Sequence, residues 1–136
     1  MDTLIVVLAL AILVILVLRV WEPFVTTPPK QDVPVGRANL YFFYTDWCGF
    51  SQKAMPEWEK LEAALKTTPV FGTTEVRAVR VNAETDRKTA LMYEVQGYPS
   101  IKLETSSMLT DYEGKRTAAA LREFLRTTLG KERESL

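Results

Sequence analysis

Histidine is absent from this chain of 136 residues, and cysteine occurs once, at position 48. Without histidine there is no Ser-His-Asp triad and no Cys-His nucleophile pair, and a single thiol cannot build a Cys/His zinc cage, so no metal site is expected. A lone cysteine also forbids an intramolecular disulfide, and cysteine counting therefore says nothing about the redox compartment. Nor is there an excess of charge, since 17 basic side chains balance 17 acidic ones. With no Lys/Arg cluster and no basic stripe interleaved with aromatics, nucleic acid is set aside as a partner. Any nucleophilic chemistry must come from Cys48 with local help.

What the chain does have, first, is a long apolar run. Leu4 to Leu18 is 15 residues without a polar side chain, short by itself for a bilayer span of about 20. Thr3 extends it on one side, Val20 and Trp21 on the other, and Arg19 can snorkel to the head groups beside an interfacial tryptophan. Residues 1–21 are therefore expected to form one N-terminal transmembrane helix, meeting the lipid bilayer through residues 3–21. A cleaved signal peptide would carry a basic start, whereas this one is Met1-Asp2-Thr3, and the cleavage-like Ala9-Leu10-Ala11 lies inside the apolar run. The run has no polar face at helical period, as a helix of a soluble core would. Arg19, Lys30 and Arg37 follow it and no basic residue precedes it, which by the positive-inside rule places the following domain in the cytoplasm.

Residues 22–37 hold four of the seven prolines and read as an extended tether, because proline removes backbone donors from helix and central strand alike. Asn39 to Thr45 is aromatic and β-favouring without alternation, as in a strand buried on both faces. From Ser51 the period changes: Ala54, Trp58, Leu61 and Leu65 mark one face of a helix, which Pro56 should kink. The stretch 75–82 alternates apolar residues with arginines as a second strand, giving a strand–helix–strand unit with a parallel pair. A short helix over Thr85–Tyr93 follows, then a hairpin of Ile101–Glu104 and Met108–Tyr112. A last helix over 115–129 closes with Gly130 as its cap. The expected organisation is an anchor at 1–21, a tether at 22–37, a folded domain at 38–130 and a solvated polar tail at 131–136.

Five separate pieces, FYTDWCGFS (43–51), PEWEKL (56–61), VNAE (81–84), YEVQGYPSIKL (93–103) and YEGKRT (112–117), resemble in order and spacing the thioredoxin superfamily, most of all a single thioredoxin domain of the protein disulfide isomerases. The resemblance implies an α/β thioredoxin-like fold, a mixed sheet with helices on both faces. With residues 22–38 too proline-rich to supply the family's first strand and helix, about four strands are expected, leaving 75–82 as an exposed edge. Pro99 falls at the family's cis-proline, so Tyr98 and Pro99, with Trp47, Gly49 and Phe50 around the cysteine, are the substrate-binding residues it implies. The chain departs from the family where the second cysteine of the pair is Ser51, a frequent histidine is Phe50, a buried acid is Phe42, and the proline before the tryptophan is Asp46.

Placed at a helix start, Cys48 would gain from free N–H groups and the helix dipole, which favour the thiolate. A thiolate attacks a disulfide to form a mixed disulfide, and Ser51 is unable to release the partner. Cys48 and Ser51 thus form a monothiol site expected to capture protein clients bearing cysteines, with no cofactor beyond glutathione as an outside resolving thiol. A second reading is a membrane-tethered binding module of thioredoxin shape in which Cys48 merely packs, holding a partner beside Pro99 or by strand addition. The tetrapeptide Cys48-Gly49-Phe50-Ser51 supports a third, since CGFS is the signature of monothiol glutaredoxins that hold an iron–sulfur cluster with glutathione. Trp47, Tyr98 and the absence of paired glycines after the last strand stand against it. The resemblance points to the endoplasmic reticulum lumen or a related endomembrane, against the cytoplasm that flanking charge favours.

Overall fold

The computed structural model describes residues 2–20 and 32–133. Its first element, α1 (Asp2–Val20), is an unbroken helix whose side chains are described as far as Leu16, and its large apolar side chains there are more than half exposed. Among the described residues no helix is long and apolar enough to cross a membrane. The spanning helix expected from the sequence is therefore not part of what the fold shows. Trp21 and the tether over 22–31 lie outside the described residues.

The domain begins earlier than expected. Val33 is buried, the Arg37 N–H donates to the Pro34 carbonyl at 3.0 Å, and β1 runs Arg37–Tyr44. It is followed by α2 (Gly49–Thr67), β2 (Val70–Phe71), β3 (Thr74–Asn82), α3 (Arg87–Met92), β4 (Ser100–Thr105), β5 (Leu109–Tyr112) and α4 (Ala118–Leu129). The sheet order is β2-β3-β1-β4-β5, with β1 and β3 parallel and every other pair antiparallel. This is the α/β architecture with a mixed sheet and flanking helices that the resemblance implies.

Central β1 lacks alternation because both of its faces are covered. Leu40 and Phe42 point into a core with Ala54, Trp58, Leu61 and Leu65 of α2 and Leu121 and Leu125 of α4. Tyr41 and Phe43 face the opposite layer, with Val81, Ala90 and Tyr93. The helix α2 runs on through Pro56. Asp86 caps α3 by accepting from the Thr89 N–H at 3.1 Å, and Thr117 caps α4 through the Ala120 N–H at 3.3 Å, each satisfying an otherwise orphaned helix donor.

Two expectations are corrected here. Among the described residues the sheet has five strands, and 75–82 is not its free edge: β2 pairs with β3 through Val70↔Glu75 and Phe71↔Thr74. Phe71 is fully buried, so a strand of only two residues is held in place by one core side chain. The second correction concerns the tail, whose first residues are docked. The Gly72 N–H donates to the Lys131 carbonyl at 2.7 Å, the Arg133 N–H to the Val70 carbonyl at 2.9 Å, and Phe71 bridges Glu132. The Glu132 carboxylate is gripped by Arg122 and Arg126 of α4 and by the Thr68 hydroxyl, so the charge that makes the tail look solvated is paired on the domain.

Candidate active site

Parallel strands β1 and β3 end together, Tyr44 beside Asn82, and the chain leaves β1 through Thr45, Asp46 and Trp47 to reach Cys48. Cys48 is the residue before α2, with extended backbone (φ −81°, ψ 115°). The first N–H groups of a helix have no partner within it and point out at whatever sits there. The Ser51 main-chain N–H is the largest influence on the sulfur and pulls the thiol below the ordinary range. Burial opposes it, and the Ser51 hydroxyl and the Phe50 N–H add to it. Only 8% of Cys48 is exposed.

Across from the cysteine lies the loop before β4, where the Tyr98–Pro99 peptide bond is cis. The Cys48 Sγ donates to the Tyr98 carbonyl at 3.5 Å. Pro99 is buried, and its own carbonyl accepts from Arg116 at 3.4 Å. Trp47 meets the Tyr98 ring edge-on, with centroids 6.4 Å apart and planes at 85°. Trp47 is 69% and Phe50 72% exposed, so two large apolar side chains stand in solvent beside a nearly covered sulfur. The structure thus brings Trp47, Cys48, Phe50, Ser51, Tyr98 and Pro99 to one place. Gly49 is there too, although a Cβ on it would touch nothing within 4 Å.

Ser51, almost fully buried, accepts from the Thr45 N–H at 3.5 Å as well as facing the sulfur. Phe42 is fully buried and stacks on Trp58 with ring centroids 4.9 Å apart. Where the resemblance calls for a buried acid, this chain therefore has an apolar core side chain. Among the described residues no group of three or more His, Cys, Asp or Glu is placed to hold a metal.

Sequence reasoning missed the ring of hydrogen bonds behind the turn. The Asp46 N–H donates to Glu84 Oε2 at 2.8 Å, Asn82 Nδ2 to Asp46 Oδ2 at 3.0 Å, and the Glu84 N–H to Asn82 Oδ1 at 2.9 Å. Gln52 Nε2 adds a bond to the Asp46 carbonyl at 2.7 Å. Its one signal in the sequence is Asp46, a residue with an N–H where the resemblance calls for proline.

Comparison with known proteins agrees with this fold. The Thioredoxin family model matches residues 31–127. Protein disulfide isomerase-like 2-1 of Oryza sativa subsp. japonica is 36% identical over 98 residues, which are 71% of this chain and 25% of the rice protein. A protein disulfide-isomerase A6 homolog of Drosophila melanogaster is 35% identical over 102 residues, 71% of this chain and 22% of its own length. Human ERp44, in a zinc-bound form, superposes with a TM-score of 0.58 at 30% identity, over 66% of this chain and 26% of that one. The chain spans about a quarter of the length of the curated relatives it matches.

Proposed function

This chain belongs to the thioredoxin family, and from that premise we propose that it is a monothiol exchanger in which Cys48 forms mixed disulfides with cysteine-bearing protein clients. The observation that carries the reading is the Cys48 sulfur at the start of α2, held toward the thiolate by the Ser51 N–H and set beside the Tyr98 carbonyl. The thiolate attacks one sulfur of a client disulfide. That S–S bond breaks, a Cys48–client disulfide forms, and the departing client sulfur leaves as a thiolate that takes a proton from water. Ser51 supplies no second sulfur, so the adduct waits for a thiolate from outside, either glutathione or another client cysteine, to attack it and return Cys48. Long-lived capture, with weak isomerisation, is the outcome.

Client contact falls to the apolar side chains of Trp47 and Phe50, and to the main chain around Tyr98 and Pro99. The exposed apolar side chains of α1 support attachment to a membrane through residues 3–21, and the disulfide-isomerase relatives support an endoplasmic reticulum setting. The low exposure of the sulfur favours one competing reading, a binding module in which Cys48 only packs.

The deciding experiment is made on intact cells. Free thiols are trapped with a membrane-permeant alkylating agent, and reducible higher-mass adducts are compared between the natural chain, Cys48→Ala and Ser51→Cys. We expect adducts with the natural chain, none with Cys48→Ala, and fewer with Ser51→Cys, whose added thiol releases the partner. Absence of adducts, with Cys48 unreactive in the folded protein, overturns exchange and leaves the binding module.

A further inference from the structure

We propose that Glu84 is a positioning residue for Cys48, acting through the main chain of Asp46. The inference rests on the reading of Cys48 as a thiolate nucleophile. The turn of Asp46 and Trp47 must place the sulfur over the first N–H groups of α2 and against the Tyr98 carbonyl. Nothing in its own covalent structure does so, because Asp46 lacks the ring that would fix φ. The side chains across the β1–β3 end do it instead. Glu84 accepts the Asp46 N–H, Asn82 ties the Asp46 carboxylate to the Glu84 main chain, and Gln52 holds the Asp46 carbonyl. Both main-chain polar groups of Asp46 are thereby occupied one residue before Trp47 and two before Cys48. The Ala83 N–H bond to the Tyr44 carbonyl at 2.9 Å fastens the same two segments immediately behind the ring. A proline at position 46 would have no N–H to offer, so the Glu84 bond exists only because this chain carries a residue other than proline there.

A single-cysteine chain makes the test direct, since alkylation reports Cys48 alone. The full chain in detergent micelles is alkylated with iodoacetamide across a pH series, giving a midpoint and a limiting rate at high pH for the natural chain, Glu84→Ala and Glu84→Gln. Both substitutions remove the same charge, but the Gln side-chain oxygen still accepts the Asp46 N–H, so their difference isolates the hydrogen bond. We expect Glu84→Ala to raise the midpoint by about half a pH unit, slowing alkylation near neutrality roughly threefold, with Glu84→Gln restoring most of it. Superimposed Ala and Gln profiles overturn the proposal, as does a lowered melting temperature in Glu84→Ala with an unmoved profile, which would mark Glu84 as structural only. A midpoint at an ordinary thiol's value in the natural chain instead removes the thiolate reading, and the limiting rates of Ala and Gln then still decide the positioning role.

Discussion

Glu104 sits in β4 at 1% exposure, on the layer opposite the one that packs beneath Cys48. Its Oε2 accepts from the Tyr93 hydroxyl at 2.7 Å and from the Tyr41 hydroxyl at 3.2 Å, and Tyr93 also donates toward Tyr41 at 3.0 Å. A buried carboxylate is costly unless its lone pairs are met, which is what the phenols do. Burial first, then the hydrogen bonds with Tyr41 and Glu104, hold the Tyr93 phenol far above the usual tyrosine range. The sign follows: below about pH 10 both folded and unfolded chains keep this proton, and above it the unfolded chain releases the proton first. Stability is therefore full below that pH and falls as pH rises beyond it. Tyr93→Phe should cost about 1–3 kcal/mol at neutral pH and flatten the alkaline decline. Urea melts at neutral and alkaline pH check this, and an unchanged slope would contradict it. A glutamate at the end of a short strand carries no sequence signal of burial, whereas Cys48, Ser51, Tyr98 and Pro99 were legible because the resemblance fixes them to one another.

Elements divide the same way by length. The apolar period of α2 and α4 extends over several turns, and both were legible to within a few residues. β2 is too short to show any period, and its existence depends on Phe71 finding the core and on a turn at Gly72. That glycine has φ +60°, and a Cβ built on it would lie 2.3 Å from the Leu129 carbonyl oxygen. Substitution meets both a left-handed backbone and a wall of main chain. Gly72→Ala should destabilise the domain by about 2 kcal/mol or more, by thermal or urea melting; a loss within about half a kcal/mol would show that β2 and the tail yield at little cost. Burial pushes the Glu132 carboxyl up, but Arg122, Thr68 and Arg126 together bring it below the usual carboxylate range. The tail is thus fastened at neutral pH, and this contribution declines as pH falls below the ordinary carboxyl value and is gone once pH has passed through the lowered one. No pattern in the sequence around Glu132 announces a partner, since the two arginines lie on α4.

For the molecule as a whole, the apolar α1 and the charge-balanced domain ask for different surroundings. The large apolar side chains of α1 from Leu4 to Leu16 are exposed and unmatched by any polar face, a surface that water disfavours at roughly 25 cal/mol for each Å². The full chain should float with phosphatidylcholine vesicles in a density gradient and resist carbonate extraction, while a chain lacking residues 1–21 should remain in the soluble fraction. Equal behaviour of the two would remove membrane attachment from the proposed function. The apolar run was the plainest feature of the sequence, yet the domain it precedes was legible only through scattered pieces, because a thioredoxin sheet is assembled from short strands distant in sequence.

The parallel pairing of β1 with β3, and the docking of the tail on β2, give the domain a polarity. The chain enters the sheet at Arg37, opposite Glu75, and passes Glu132 beside Phe71, next to the start of β3. Cys48 lies past the other end of β1, about 23 Å away for seven residue steps in a strand. The entry of the chain into the sheet and its last described residues thus share one end of the domain, and the turn that carries Cys48 occupies the other.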